Sequence, residues 1–170
     1  EPEDFRPISV SSTLATMLES LLLSRIDIIK NPHENQFGYQ WQTSCKHAYY
    51  IANEAIDHYK SGKTPVYIIS LDATKAFDKL WRAGLYYKLK GKCDDVMWRI
   101  LVAYYNGSKI KVKKNGEQSQ VHKTSEGVKQ GGVLSSYLFN FFMNDLLVEC
   151  CSLGIGAHLY GLNVSILAYC

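Results

Sequence analysis

The feature that most constrains this 170-residue chain is a short apolar run, residues 65–71, that ends at Asp72. The run is rich in β-branched and aromatic side chains, which favour strands, and its mostly apolar character is typical of a buried strand. It therefore predicts a buried strand with a carboxylate at its end. Such a carboxylate suits a hard cation such as magnesium, although an aspartate that caps the following turn produces the same pattern.

Apolar residues at three- and four-residue steps predict two amphipathic helices before this run. The first begins at Ser11 or Ser12, either of which can cap it, and ends before Pro32. Its predicted buried face consists of Leu14, Met17, Leu18, Leu21, Leu22 and Ile26. The second runs from about Ser44 to Lys60 and is stopped by Gly62. Its predicted core stripe consists of Ala48, Ile51, Ala52, Ala55, Ile56 and Tyr59.

The rest of the chain mixes helices with hairpins, which favours an α+β fold over regular βαβ units. Residues 109–113 alternate strictly, Asn115 and Gly116 are typical of a type I′ turn, and a return strand is predicted over about 118–124. Two more strands are predicted over about 156–160 and 164–169, hinged at 161–163. Helices are predicted over about 80–90, 94–105 and 135–151, the last carrying Leu138, Phe139, Phe142, Met143 and Leu146 inward.

Length and composition, 46% apolar and 21% charged, are those of one globular domain. The net charge of +3 is too small to diagnose a nucleic-acid binder, but lysines cluster at 109, 111, 113, 114, 123 and 129. A phosphate-binding patch and a solvated hairpin face explain that cluster equally well. The five cysteines lack Cys-x-x-Cys spacing, so free thiols in an intracellular compartment, nuclear or cytoplasmic, are expected rather than zinc. Neither a secretory signal nor a membrane partner is expected.

Two further segments carry candidate binding residues. Phe77 lies five residues past Asp72, where a bulky ring can pack under a nucleotide sugar and exclude a 2′-hydroxyl; a core phenylalanine is the other interpretation. Gln130 and Gly131 precede a predicted helix, and glycine there allows the backbone to approach a ligand closely. A two-glycine motif by itself is more often only a turn.

Together these segments resemble the reverse transcriptase domain of non-LTR, LINE-like retrotransposons, and jockey-like elements in particular. Residues 71–78 resemble motif A, residues 127–135 resemble motif B, and residues 168–170 resemble the start of motif C. Residues 5–9 and 35–39 resemble the first and second fingers blocks. The resemblance covers essentially the whole chain.

This resemblance implies an α+β fold with the fingers, mainly residues 1–64, and part of the palm, mainly 65–170, of a right-hand polymerase. The helices would pack on a small antiparallel palm sheet. It implies RNA-directed DNA synthesis with two Mg²⁺ ions, an RNA template, a DNA primer, dNTPs and the remainder of a polyprotein as partners. The implied roles are metal binding by Asp72 and the Ala73 carbonyl, nucleotide binding by Phe77, Gln130 and Gly131, and nucleic-acid binding by Arg6, Lys109, Lys111, Lys113 and Lys129.

The chain departs from the family pattern at several positions. The sequence ends at Cys170, before the thumb and the two aspartates that follow motif C in the family, so the chain alone is expected to be inactive. Ser136 replaces a usual proline, and Thr16 replaces a lysine that reaches the triphosphate. These departures leave open a non-catalytic nucleic-acid-binding remnant of a decayed element. A group II intron-type reverse transcriptase is another alternative, whereas Phe77 argues against an RNA polymerase.

Overall fold

A computed structural model describes residues 8–169 of the chain, so Arg6 and Cys170 lie outside the described residues. The chain packs as two compact units. The first contains the described residues up to Lys30 together with Lys75–Leu138, and the second contains Asn31–Thr74 and the described residues from Phe139 onward. This division does not test the predicted assignment of 1–64 to fingers and 65–170 to palm.

The described residues form six α-helices and three antiparallel strand pairs, which confirms a mixed α+β structure. The helices are α1 Thr13–Arg25, α2 Cys45–Ser61, α3 Ala76–Lys79, α4 Arg82–Leu89, α5 Asp95–Asn106 and α6 Ser135–Ser152. The strands are β1 Lys109–Ile110, β2 Lys113–Lys114, β3 Glu117–Gln118, β4 His122–Lys123, β5 His158–Leu159 and β6 Leu162–Asn163. A short 3₁₀ turn, Asp27–Lys30, follows α1.

Local capping chemistry places the helix ends close to where the sequence predicts them. The Ser12 hydroxyl accepts a hydrogen bond from the Ala15 amide at 3.3 Å and caps α1. Asp94 caps α5 by accepting from the amides of Val96 and Met97 at 2.9 and 3.1 Å. The N–H of Gly62 donates to the carbonyl of His58 and closes α2. These bonds satisfy backbone groups that a helix end leaves unpaired.

The central hairpin is confirmed, with one irregularity. Strand β1 pairs with β4, strand β2 pairs with β3, and the turn between β2 and β3 has Asn115 and Gly116 at φ 50° and 88°. Lys109 lies opposite Lys123, whereas Lys113 lies opposite Gln118. The return strand therefore carries one extra residue between the two pairs, which is a β-bulge that interrupts the ladder.

The predicted buried strand over residues 65–71 is wrong. The segment has no strand conformation, and its side chains are exposed, with Tyr67 at 88% and Leu71 at 90%. A strand needs a hydrogen-bonded neighbour, and no described residue pairs with this segment. The composition of the run indicates a propensity for strand conformation, but it does not show whether a neighbouring strand is present to pair with it. The predicted palm sheet built on it is likewise not formed by the described residues.

The last predicted hairpin is also shifted. Strands β5 and β6 pair through a turn at Tyr160 and Gly161, with φ 50° and 87°, so the second strand precedes the predicted 164–169. Within 164–169, only Ala168 forms a bridge, in parallel with Gln36. Its carbonyl accepts from the Phe37 amide and its amide donates to the Asn35 carbonyl, both at 2.8 Å.

The core confirms the helical period and corrects two of the predicted faces. In α1, Leu22 and the adjoining Ile26 are buried as predicted, but Leu14, Met17 and Leu21 are exposed. In α6, Leu138 and Phe139 are buried as predicted, whereas Leu146 is exposed and Leu147 is buried in its place. In both helices the apolar residues exceed what one face can bury, so the pattern alone does not fix which of them pack inward.

The described cysteines, Cys45, Cys93, Cys150 and Cys151, are free. No helix among the described residues has the length and apolar character needed to cross a bilayer.

Candidate functional site

A glycine brings the segment after Asp72 into contact with the turn before α6. Gly127 adopts φ 74°, and a Cβ there would lie 2.6 Å from the Phe77 carbonyl oxygen. The amide of Val128 donates to that same oxygen at 2.7 Å, and the amide of Gly127 donates to the Leu80 carbonyl at 2.9 Å. Only glycine allows this close backbone approach. Phe77, which is half-buried on α3, is therefore fixed beside the turn formed by residues 127–132, here called the glycine turn.

Arg82 anchors one end of the glycine turn from α4. Its buried guanidinium donates to the carbonyl oxygens of Gly127 at 2.6 Å, Tyr105 at 2.8 Å and Thr124 at 2.8 Å. It also donates to the Thr124 hydroxyl at 2.9 Å. Burial lowers the pKa of Arg82 from its ordinary value, but four acceptors stabilise the charged form. The Arg82 side chain thus links α4 to the end of α5 and to the segment from Thr124 to Gly127.

Glu19 anchors the other end from α1. The carboxylate is 1% exposed and accepts hydrogen bonds from the Tyr104 hydroxyl and from the Leu134 amide, the latter at 3.4 Å. The Lys129 ammonium lies 3.7 Å from the same carboxylate, donates to the Tyr104 hydroxyl, and lies 4.1 Å from the centre of the Tyr104 ring. Burial, followed by the hydrogen bond to Glu19, raises the pKa of Tyr104 far above its ordinary range. Burial lowers the pKa of Lys129, and the charge of Glu19 opposes that effect.

Between these anchors lie Gln130 and Gly131. The carbonyl of Gln130 accepts from the Ser9 amide at 2.9 Å, so the backbone is held from a second direction. The side-chain Oε1 of Gln130 is buried and has no hydrogen-bond partner among the described residues. Gly131 has φ 100°, and a Cβ there would lie 3.1 Å from the Ser9 carbonyl oxygen. Gly132 is equally confined, because its Cβ would lie 2.9 Å from Glu19 Oε2.

Asp72 and Ala73 lie in an exposed segment outside any helix or strand. The Asp72 carboxylate makes no hydrogen bond or ion pair with a described residue, so both of its oxygens are available to a ligand. Over residues 8–169, no group of three or more His, Cys, Asp or Glu side chains is arranged to hold a metal ion.

The candidate nucleic-acid-binding lysines divide into two environments. Lys109, Lys111 and Lys113 are exposed on the first arm of the hairpin, and the Lys109–Lys123 pair places two like charges opposite each other. Such a pair repels unless an anion or solvent screens it. Lys129, in contrast, points its ammonium group at Glu19 and Tyr104.

Sequence reasoning missed Arg82 and gave no role to Glu19, yet both carried a signal. Glu19 precedes the buried Leu22 and Ile26 by three and seven residues, and Arg82 precedes the buried Leu85 and Leu89 by the same intervals. A charged residue that lies on the same helix face as buried apolar residues is itself expected to be buried. It then needs a hydrogen-bond or ion-pair partner.

Comparisons with known proteins assign the chain to a family. The family model described as reverse transcriptase (RNA-dependent DNA polymerase) matches residues 1–169. The chain belongs to the reverse transcriptase family. It is 30% identical over 149 residues to the RNA-directed DNA polymerase from mobile element jockey of Drosophila funebris, covering 85% of this chain and 16% of that protein.

A second relative is the retrovirus-related Pol polyprotein from type-2 retrotransposable element R2DM of Drosophila melanogaster. It is 34% identical over 152 residues, which cover 86% of this chain and 14% of the relative. This reverse transcriptase chain therefore spans only about a seventh of the length of these two relatives. The resemblance to non-LTR retrotransposon polymerases is confirmed, and reverse transcriptases generally use a divalent metal ion and a nucleic-acid template.

The buried arginine gives a stability prediction. Arg82→Met is expected to lower the free energy of unfolding by about 3 kcal/mol, because the carbonyls of Gly127, Tyr105 and Thr124 lose their charged donor in a buried site. Urea unfolding of the 170-residue chain measures this change. Arg99→Met, at an exposed position of α5, is the matched control and is expected to change stability by less than about 0.5 kcal/mol. Equal stability of the two variants would contradict the anchoring role.

Proposed function

We propose that this chain is the fingers and part of the palm of an RNA-directed DNA polymerase encoded by a non-LTR retrotransposon. The polymerase copies an RNA template by adding dNTPs to a DNA primer: the primer 3′-oxygen attacks the α-phosphate in line, and pyrophosphate leaves. The remainder of a longer polyprotein supplies the other parts of the enzyme. The family assignment over residues 1–169 supports this proposal.

The nucleotide-binding part of the proposal rests on the unpaired side-chain oxygen of Gln130. A buried polar atom without a partner is costly, so a native structure retains one where a water or a ligand completes the bond. The Oε1 of Gln130 is such an atom, on a turn fixed by Glu19, Arg82 and Ser9. In our proposal Gln130 accepts a hydrogen bond from the incoming dNTP, and Gly131 lines the same site.

Asp72 and the carbonyl of Ala73 are proposed ligands of Mg²⁺, the divalent ion that we infer for this polymerase. Their chemistry fits, because Mg²⁺ prefers oxygen donors and the Asp72 carboxylate is uncommitted. When bound, the two ions would supply charge stabilisation for the phosphoryl group. Phe77 is proposed to exclude the 2′-hydroxyl of a ribonucleotide from its position beside the glycine turn.

The exposed lysines of the hairpin, Lys109, Lys111 and Lys113, are proposed to bind nucleic-acid phosphates, and Arg6 belongs to the same proposed set. Lys129 also belongs to this proposed set. Its ammonium group contacts Glu19 and Tyr104, which favours a role in holding the glycine turn over direct phosphate binding. A non-catalytic nucleic-acid-binding remnant is the second candidate function. Thr16, at a position where the family usually has a lysine that reaches the triphosphate, favours it.

The nucleotide site is tested by Gln130→Met in the full-length polymerase of the parent element. Loss of one hydrogen bond to the nucleotide is expected to raise the KM for dNTP by about 3- to 10-fold. The control is Gln118→Met, at an exposed position of β3, which is expected to leave KM unchanged. Steady-state primer extension on an RNA template measures both. An unchanged KM in the Gln130 variant would reject its nucleotide contact, and no activity in the unmodified protein would favour the remnant.

A further inference from the structure

The hydroxyl of Tyr104 lies between a buried carboxylate and an ammonium group. It donates a hydrogen bond to Oε1 of Glu19 and accepts one from Nζ of Lys129. The carboxylate and the ammonium are themselves 3.7 Å apart, which exceeds the usual N–H···O hydrogen-bond distance of about 2.7–3.2 Å. The Tyr104 hydroxyl therefore bridges the two charges. The side chains of Glu19, Tyr104 and Lys129 are here called the Tyr104 cluster.

The Tyr104 cluster contacts the chain on both sides of Gln130. Lys129 directly precedes Gln130, and Glu19 accepts a hydrogen bond at 3.4 Å from the amide of Leu134, which follows it. Glu19 also lies against Gly132, where a Cβ would be 2.9 Å from Oε2. The backbone that carries Gln130 is thus attached to the cluster before and after this residue. The cluster therefore helps to fix the place of the unpaired side-chain oxygen of Gln130.

Burial makes the bridge sensitive to the loss of one atom. The side chains of Glu19 and Lys129 are 1% and 21% exposed, and charges in such places need close partners. Burial, followed by the hydrogen bond to Glu19, raises the pKa of Tyr104, so the hydroxyl keeps its proton and donates to the carboxylate. Without that hydroxyl, the Lys129 ammonium loses an acceptor. Its long side chain then gains by turning toward water, and the turn loses one of its attachments.

We propose that Tyr104 is a positioning residue for nucleotide binding: its hydroxyl holds Lys129 beside Glu19 and thereby sets the orientation of Gln130 toward the incoming dNTP. The inference rests on the proposed function, in which Gln130 contacts the dNTP. Tyr104 touches no nucleotide here and acts through Gln130. Direct phosphate binding by Lys129 gives the opposite expectation, because release from Tyr104 would leave the ammonium more available to the triphosphate.

The test is Tyr104→Phe in the full-length polymerase of the parent element, which removes the hydroxyl and keeps the ring. The KM for dNTP is expected to rise by about 3- to 10-fold, as for Gln130→Met, with kcat changed by less than about 2-fold. Steady-state primer extension on an RNA template measures both. An unchanged or lower KM in an active polymerase would overturn this proposal alone, whereas an inactive unmodified polymerase would overturn the proposed function with it.

Tyr59→Phe is the matched control. The Tyr59 hydroxyl also makes two hydrogen bonds, donating to the His158 carbonyl at 3.1 Å and accepting from the His158 amide at 2.9 Å, but it lies in the other compact unit. In urea unfolding of the 170-residue chain, the two variants are expected to lower the midpoint by similar amounts. Only Tyr104→Phe is expected to raise KM. A rise of KM in both variants would indicate a general loss of stability and overturn the positioning role.

A double-mutant cycle tests whether Tyr104 acts through Gln130. In the Gln130→Met polymerase, Tyr104→Phe is expected to raise KM by less than about 1.5-fold further, because the side chain that it positions is already gone. A further rise as large as that in the unmodified polymerase would show that the two residues act independently. That outcome would overturn the proposal even if each single substitution raises KM.

Discussion

Replacing Asp72 by asparagine in the full-length polymerase is expected to lower kcat by at least about 1000-fold, because the substitution removes the carboxylate that we propose as a metal ligand. The protein itself should remain folded. Asp72 is exposed and bonds to no described residue, so the free energy of unfolding is expected to change by less than about 0.5 kcal/mol. Primer extension on an RNA template and urea unfolding measure the two effects separately.

The matched control is Asp57→Asn, which removes an exposed carboxylate from α2 and is expected to leave kcat unchanged. A polymerase that keeps near-normal kcat after the Asp72→Asn substitution would reduce Asp72 to a surface or capping residue. That result would also remove the proposed link between this chain and metal binding. A loss of kcat in both variants would instead indicate an effect of net charge rather than of ligand position.

The sequence predicts best those helix ends and turns that depend on residues close to them along the chain. Ser12 bonds an amide three residues away, and Asn115 and Gly116 supply the two left-handed positions of their turn without help from distant groups. The end of α2 before Gly62 is also set by neighbouring residues. Motif spacing identified the family for a related reason, since it depends on residue order and not on packing.

What the sequence did not predict depends on distant partners. The apolar run before Asp72 has the composition of a strand, but a strand forms only with a neighbour to share its hydrogen bonds, and composition cannot supply one. Glu19 bonds to Tyr104, which lies 85 residues away, and Arg82 bonds to Gly127, which lies 45 residues away. The helical phase of these two charges indicates burial, yet only the folded chain shows which donors and acceptors meet.

In our proposal Phe77 is the residue that separates DNA synthesis from RNA synthesis. Its carbonyl is bonded to the Val128 amide at 2.7 Å, so the residue is held against the glycine turn that carries Gln130. In our proposal its ring excludes a 2′-hydroxyl, and Phe77→Val removes that steric conflict. The ratio of kcat/KM for dNTP over rNTP is then expected to fall by about 30- to 1000-fold, which corresponds to about 2–4 kcal/mol.

A purely structural role for Phe77 gives a different result, because truncation of a core ring lowers stability and reduces use of both nucleotides alike. Full burial would cost about 3–5 kcal/mol, and the half-buried ring of Phe77 should cost less. Phe141→Val is the matched control: Phe141 is buried in α6 outside the matched motifs, so its loss should lower the melting temperature without changing the ratio. If Phe77→Val behaves like Phe141→Val in both measurements, the ring belongs to the core. The selection of deoxyribose must then come from another residue.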